Sequence, residues 1–192
     1  MENINKYYEN TKNSPPHLLI KKFINMNIKP KNAIDLGCGA GRDTVYLIRN
    51  RWNVLAIDRK NTKEIIKNKL NAKELENFRF SLQSFENISL EKTNLLVANF
   101  SIPFCNKDCF NKFWNEIVNC IVKNGYFVGN FFGLNDTWKE TKKHMVFLSK
   151  EQVLNLFKDF EIIEFNHIEK DSYTALNKLK HWDIYNVIAK RK

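Results

Sequence analysis

Three glycines at alternate positions, Gly37, Gly39 and Gly41, end the short apolar run Ala33-Ile34-Asp35-Leu36. A second apolar run, Asn53 to Ile57, ends in an acid, Asp58, about twenty residues on. Glycine has no Cβ, so the backbone there can turn sharply and lie against a ligand. The periodic segment that follows, with Val45, Leu47 and Ile48, reads as a helix whose free N–H groups face the turn. An acid at the end of the second strand can accept hydrogen bonds from both hydroxyls of an adenosine ribose. The chemistry expected is therefore a nucleotide-like cofactor pocket. Spacing narrows its kind. A dinucleotide fingerprint wants Gly-x-Gly-x-x-Gly to seat a pyrophosphate, and Arg42 stands where its third glycine would fall.

Those residues need strands to end at them and helices to follow. Leu18, Leu19, Phe23, Ile24 and Met26 repeat at three- and four-residue spacing, which predicts a helix over His17 to Met26, closed by Pro30. Strands are expected at Ala33 to Leu36, Asn53 to Ile57, Phe78 to Leu82, Leu95 to Ala98 and Tyr126 to Phe132. Between them, helices are expected over Thr62 to Leu75 and Phe110 to Val122, the latter ended by Asn124-Gly125 with glycine in the left-handed cap. Gly133 to Leu148 reads as a long polar connection that covers a site. Ser149-Lys150-Glu151-Gln152 matches a capping box and starts a helix to about Phe157. Phe160 to Ile168 and Asp183 to Ala189 read as two closing antiparallel strands. Alternating strands and helices make an α/β fold: a mostly parallel seven-stranded sheet, helices on both faces, and an antiparallel closing hairpin.

At 192 residues the chain suits one domain, 1–192, with residues 1–31 as an N-terminal helical segment. The net charge of +10 brings an anionic partner into consideration. Lysine is spread through the chain, however, and neither Lys139 to Lys143 nor the tail Lys190-Arg191-Lys192 interleaves with aromatics, so nucleic acid is not favoured. Cys38, Cys105, Cys109 and Cys120 form no Cys-x-x-Cys pair and have no histidine at ligand spacing. Neither a disulfide framework nor a metal site is expected. Met1 to Thr11 lacks an apolar signal core, and no segment approaches the roughly 18 apolar residues of a membrane span. The expectation is a reduced, cytoplasmic protein.

Asp35-Leu36-Gly37-Cys38-Gly39-Ala40-Gly41 resembles motif I of class I S-adenosylmethionine-dependent methyltransferases. The resemblance covers most of the chain. Asp58 matches the ribose-binding acid, Leu95 to Asn99 the fourth-strand motif, Asn124-Gly125-Tyr126 the Gly-aromatic entry to strand five, and the closing strands the fold's hairpin. The likeness is to small bacterial tellurite-resistance-type methyltransferases. It implies a Rossmann-like three-layer sandwich that binds S-adenosylmethionine. Asp35, Gly37 and Gly39 would contact the methionine end, with Cys38 offering backbone only, and Asp58 and Arg59 would lie at the ribose. After strand three such folds often carry an acid and an apolar residue. Gln83-Ser84-Phe85 departs from this: an amide or the Ser84 hydroxyl replaces the acid, and Phe85 would pack on the adenine. Asn99 and Phe100 would lie beside the sulfonium.

Methyl transfer from a sulfonium needs orientation and a dry cavity more than a base, so no catalytic dyad is required. Acceptor-side candidates are Tyr7, Tyr8, Ser101, Phe104, Asp136, Trp138, His181 and Trp182. Gly133-x-x-Asp136-x-Trp138 and Lys180-His181-Trp182 resemble recurring elements of similar sequences. Both tryptophans could instead pin the loop to the core, and His181 could act as a general base. The leading expectation is a small-molecule methyltransferase, with a metalloid oxyanion as one acceptor the resemblance suggests. The rivals are an RNA or tRNA methyltransferase, motivated by charge, and a non-catalytic cofactor-binding module. Ala98-Asn99-Phe100-Ser101 lacks the prolines that exocyclic-amine enzymes acting on nucleic acid place after strand four.

Overall fold

A computed structural model describes residues 4–192; residues 1–3 of the expected N-terminal segment lie outside them. The elements run α1 (Ile4–Thr11), α2 (Leu18–Asn25), β1 (Asn32–Leu36), α3 (Arg42–Arg49), β2 (Asn53–Asp58), α4 (Lys63–Lys67), α5 (Ala72–Leu75) and β3 (Phe78–Leu82). They continue through β4 (Thr93–Ala98), α6 (Phe110–Cys120), β5 (Ile121–Phe132), α7 (Trp138–Thr141), α8 (Lys150–Leu156), β6 (Phe160–Tyr173) and β7 (Leu179–Arg191). The seven strands order as β3-β2-β1-β4-β5-β7-β6. Pairing is parallel as far as β5 and antiparallel at β5·β7 and β6·β7. The expected mostly parallel sheet with a closing hairpin is the one observed.

Alternation along the strands splits the core in two. Ile34, Leu36, Leu96, Phe127 and Val187 face Phe113, Trp114 and Ile117 of α6 and Val153 of α8. Ala33, Val54, Leu95, Val97 and Ile188 face Leu19, Ile20 and Phe23 of α2 and Leu47 of α3. The first β1-to-β2 and β4-to-β5 crossovers therefore place helices on opposite faces. Their strands all end at one edge of the sheet, where ligands bind in open α/β folds.

Three local expectations need correction. The single helix over Thr62 to Leu75 is two short ones, because Asn71 opens α5 with its own capping box: its side chain accepts from the Glu74 N–H and Glu74 accepts from the Asn71 N–H. Helix α6 ends at Cys120, since Ile121 is already extended and pairs with Thr93. Residues 122–125 are then a bulge within β5, with Asn124 at φ 62° rather than Gly125 in the left-handed region. Gly125 is needed for space instead: a Cβ there would sit 2.8 Å from the Val122 carbonyl oxygen. Finally, the hairpin strands are longer than expected, and the extra residues carry Lys180, His181 and Trp182 past the end of β5.

Candidate active site

The glycine turn runs from β1 into α3 with Gly37, Gly39 and Gly41 at φ +75°, +55° and +81°. Side chains other than glycine rarely adopt that region. Space is short as well: a Cβ on Gly37 would lie 2.4 Å from Ser101 Cβ and 3.4 Å from Phe85 Cζ, and one on Gly41 2.5 Å from Ile66 Cγ1. The turn thus brings together the ends of β1, β3 and β4.

Four of its N–H groups are bonded within the chain. Gly37 and Cys38 donate to the Ile57 carbonyl at 2.8 and 3.0 Å, Gly39 donates to Asp58 Oδ2 at 2.9 Å, and Gly41 donates to the Cys38 carbonyl. Beneath the helix N-terminus lie two buried acids, Asp35 and Asp43. Asp35 accepts from the Thr44 hydroxyl at 2.5 Å. Burial, then the charge of Asp43, push its carboxyl up to about 7. With Asp58, also buried, three carboxylates surround the turn. Arg42, 3.9 Å from Asp43, and Lys69, which donates to the Ala40 carbonyl at 2.6 Å, offset part of that charge, but the buried groups are the acids, which suits a positively charged group better than a pyrophosphate.

Asp43 was not among the expected site residues, yet it ties three segments together. Its Oδ1 accepts from the His17 N–H at 2.8 Å and its Oδ2 from Asn99 Nδ2 at 2.8 Å. His17 caps α2, its Nδ1 accepting from Leu19 N–H, and burial holds its imidazole down at about 4. The second unforeseen residue is Asn130, fully buried on β5, whose Oδ1 accepts from the Phe100 N–H at 2.8 Å. That bond holds Phe100 at φ 52° and turns the chain after β4. Among the described residues, Asn99 Oδ1 and Ser101 Oγ are buried without a hydrogen-bond partner. Both belong to the segment packed against the glycine turn, where ligand donors and acceptors can satisfy them.

Tyr8, expected on the acceptor side, lies against the glycine turn and Asp58. It is buried, donates to Asp58 Oδ1 at 3.0 Å and stands 3.6 Å from where a Gly39 Cβ would sit. Lys60 N–H donates to the same Oδ1. Desolvation beside that carboxylate raises the Tyr8 phenol far above its ordinary value. Tyr7 meets Tyr8 edge-on at 5.8 Å. Arg59 and Ser84 are exposed, while Phe85 stacks on Phe113 at 4.7 Å, so one face of its ring is taken. The Cys38 thiol is buried and held well above its usual range by burial and then by Asp35, so it is no nucleophile.

Beyond Phe100 the two expected motifs interlock. A Cβ on Gly133 would meet the Asp183 carboxylate carbon at 2.1 Å, so only glycine lets the chain pass. Asp183 is itself buried, accepting from the Asn135 N–H at 2.9 Å and pairing with His167 Nε2 at 2.7 Å. Asp136 is buried against the Lys180 ammonium. Trp138 and Trp182 approach to 5.7 Å, and Phe100 meets Trp182 edge-on at 5.8 Å. Phe104 and Phe132 complete an aromatic wall. His181 does not join it. Strand alternation turns it from the face of Lys180 and Trp182, and its ring bonds Asp171 at 2.8 Å and Glu169 at 3.2 Å. Those carboxylates raise its pKa, and they hold its ring at the surface of the hairpin, away from the wall. Among the described residues no group of three His, Cys, Asp or Glu could hold a metal, and no helix is long and apolar enough to cross a membrane.

Comparison with known proteins agrees with this geometry at the level of family and fold. The model of the family described as tellurite resistance protein TehB matches residues 2–177. Among solved structures, TehB from Haemophilus influenzae is 19% identical with a TM-score of 0.73; the match covers 92% of this chain and 62% of that one, so this chain spans less than two thirds of it. The N-methyltransferase NodS from Bradyrhizobium japonicum WM9, solved with S-adenosylhomocysteine, is 12% identical with a TM-score of 0.71 and 99% of each chain covered. The 1,6-didemethyltoxoflavin-N1-methyltransferase of Burkholderia thailandensis, solved with its substrate and S-adenosylhomocysteine, is 14% identical with a TM-score of 0.69, covering 91% of this chain and 76% of that one. No curated protein sequence gives a significant match.

Proposed function

Because the chain belongs to the TehB family of tellurite resistance proteins, we propose that it is an S-adenosylmethionine-dependent methyltransferase (EC 2.1.1.-) acting on a small molecule. The observation that carries this reading is the glycine turn whose N–H groups are spent internally and whose surroundings are three buried carboxylates. A dinucleotide loop shares the ribose acid at the end of the second strand but needs free donors for its pyrophosphate. Neighbouring folds solved with S-adenosylhomocysteine support the choice of cofactor.

When bound, S-adenosylmethionine supplies an electrophilic methyl group on a sulfonium. Asp58 would accept from the ribose hydroxyls, with Tyr8 yielding or sharing Oδ1, and Arg59 would stand at the rim. Ser84 and Phe85 would flank the adenine. Gly37, Gly39 and the Cys38 backbone would line the methionine end, where Asp35 and Asp43 favour its ammonium and the orphaned Asn99 Oδ1 can accept from it. Phe100, Phe104, Trp138 and Trp182 would hold the acceptor and keep water out, so the protein's part is orientation. Residues 1–192 act in this reading as one domain, in a cytoplasmic, reducing setting inferred from the cysteine pattern.

The test is to incubate the protein with S-adenosylmethionine and either fractionated small-molecule extract or bulk tRNA at near-physiological salt, measuring S-adenosylhomocysteine. Turnover with a small-molecule fraction is expected. Turnover with tRNA alone would replace this reading with an RNA methyltransferase, and binding without any turnover would leave a non-catalytic module.

A further inference from the structure

The aromatic wall already contains a cation of its own. The Lys180 ammonium, on a residue 3% exposed, lies 3.9 Å from the ring centre of Trp182, 4.6 Å from that of Trp138 and 5.0 Å from that of Phe132. It also donates to buried Asp136, whose other oxygen accepts from the Trp138 N–H at 3.0 Å. Three ring faces and one carboxylate around an ammonium are the chemistry that recognises an alkylammonium ligand. The box is continuous with the proposed acceptor side, since Trp182 packs on Phe100 at 5.8 Å and Trp138 on Phe104 at 6.0 Å.

We infer that Lys180 is a specificity-determining residue: it is the resident occupant of a cation cage, so the acceptor wall refuses alkylammonium compounds and takes uncharged or anionic ones. The word acceptor rests on the methyltransferase reading; the cage itself does not. Two features keep an outside cation from displacing Lys180. Being part of the chain, it competes at a high effective concentration. Withdrawing it would also strand the Asp136 carboxylate in a buried aromatic setting. Lys180 and Asp136 cancel, and the Lys142 ammonium lies 4.1 Å from the ring centre of Trp138, so the wall carries no uncompensated negative charge and is left open to flat neutral or anionic molecules.

The probe is tetramethylammonium chloride, titrated against sodium chloride at equal ionic strength and read by tryptophan fluorescence and melting temperature. Wild type should show no saturable response. Lys180→Ala should bind the ion about tenfold or more tightly than wild type and melt higher in its presence, and Lys180→Ala/Asp136→Asn should lose most of that gain. Should Lys180→Ala fail to fold, tetramethylammonium but not sodium restores a cooperative melt. Wild type binding as tightly as Lys180→Ala would overturn the inference, and so would a folded variant with no saturable response or an unfolded one without rescue. A positive cage result beside absent S-adenosylmethionine binding would remove the methyltransferase reading alone. Intact methyl transfer with a negative cage result would remove only the cage.

Discussion

Around the glycine turn the site is backbone and carboxylate, taken from residues 35–44 and Asp58; beyond Asn99 it is aromatic side chain, taken from β5, α7, β7 and the turn after β4. The first region is shaped by where atoms are missing. Gly37 and Gly41 could not carry a Cβ without displacing Ser101 or Ile66. The second is held by what fills it, rings locked by two buried acids, Asp136 and Asp183. A cofactor common to many acceptors suits a fixed backbone cradle. An acceptor that varies suits side chains on a loop and a hairpin.

If the two regions are separable, damage to one should spare the other. Gly133→Ala is expected to give the largest effect, a loss of more than about 3 kcal/mol in urea denaturation, because its Cβ would collide with a buried carboxylate that cannot leave without being stranded. A loss under about 1 kcal/mol would mean that Asp183 moves freely and does not lock the wall. Trp182→Ala comes next. It should cost about 2 kcal/mol from lost ring contacts while leaving S-adenosylhomocysteine affinity within about twofold. A large drop in that affinity would join the two regions into one.

His17 has no such effect at neutral pH and tests the seam between them on acidification. It folds neutral, with its pKa lowered from 6.5 to about 4 by burial, so its stabilisation is fully present above pH 6.5 and is lost as the pH falls towards 4. Asn can cap the helix without titrating. The melting temperature of wild type relative to His17→Asn should therefore fall by roughly 5–10 °C over that window; a constant difference would show that His17 is not held neutral.

The backbone-built region was legible in the sequence and the side-chain-built one only in part, for a physical reason. Glycines at φ of +55° to +81° leave a local spacing pattern, and Asp58 follows at the end of the next strand. Seven strands were legible too, from short apolar runs. That N–H groups of the turn itself are taken up was not legible, because the oxygens that take them, Ile57 O and Asp58 Oδ2, are distant in the chain. Asp43 shows the same limit. An acid in a first helical turn reads as dipole compensation, whereas its partners His17 and Asn99 lie 26 residues before and 56 after it. Lys180 stood out only as a member of Lys180-His181-Trp182, with no role of its own, and the hairpin's extra length is what buries it. Asn71 was the local signal overlooked: Asn followed three residues later by Glu marks a helix start and divides the segment over Thr62 to Leu75.

In the proposed function the acid-lined glycine turn binds S-adenosylmethionine through Asp58. Isothermal titration of wild type and Asp58→Ala with S-adenosylmethionine tests it most directly. Wild type should bind one equivalent, and the variant should bind about a hundredfold more weakly, the loss of two hydrogen bonds to a charged acceptor, while keeping its far-ultraviolet circular dichroism. Equal heats for both proteins, or no uptake by wild type, would contradict it.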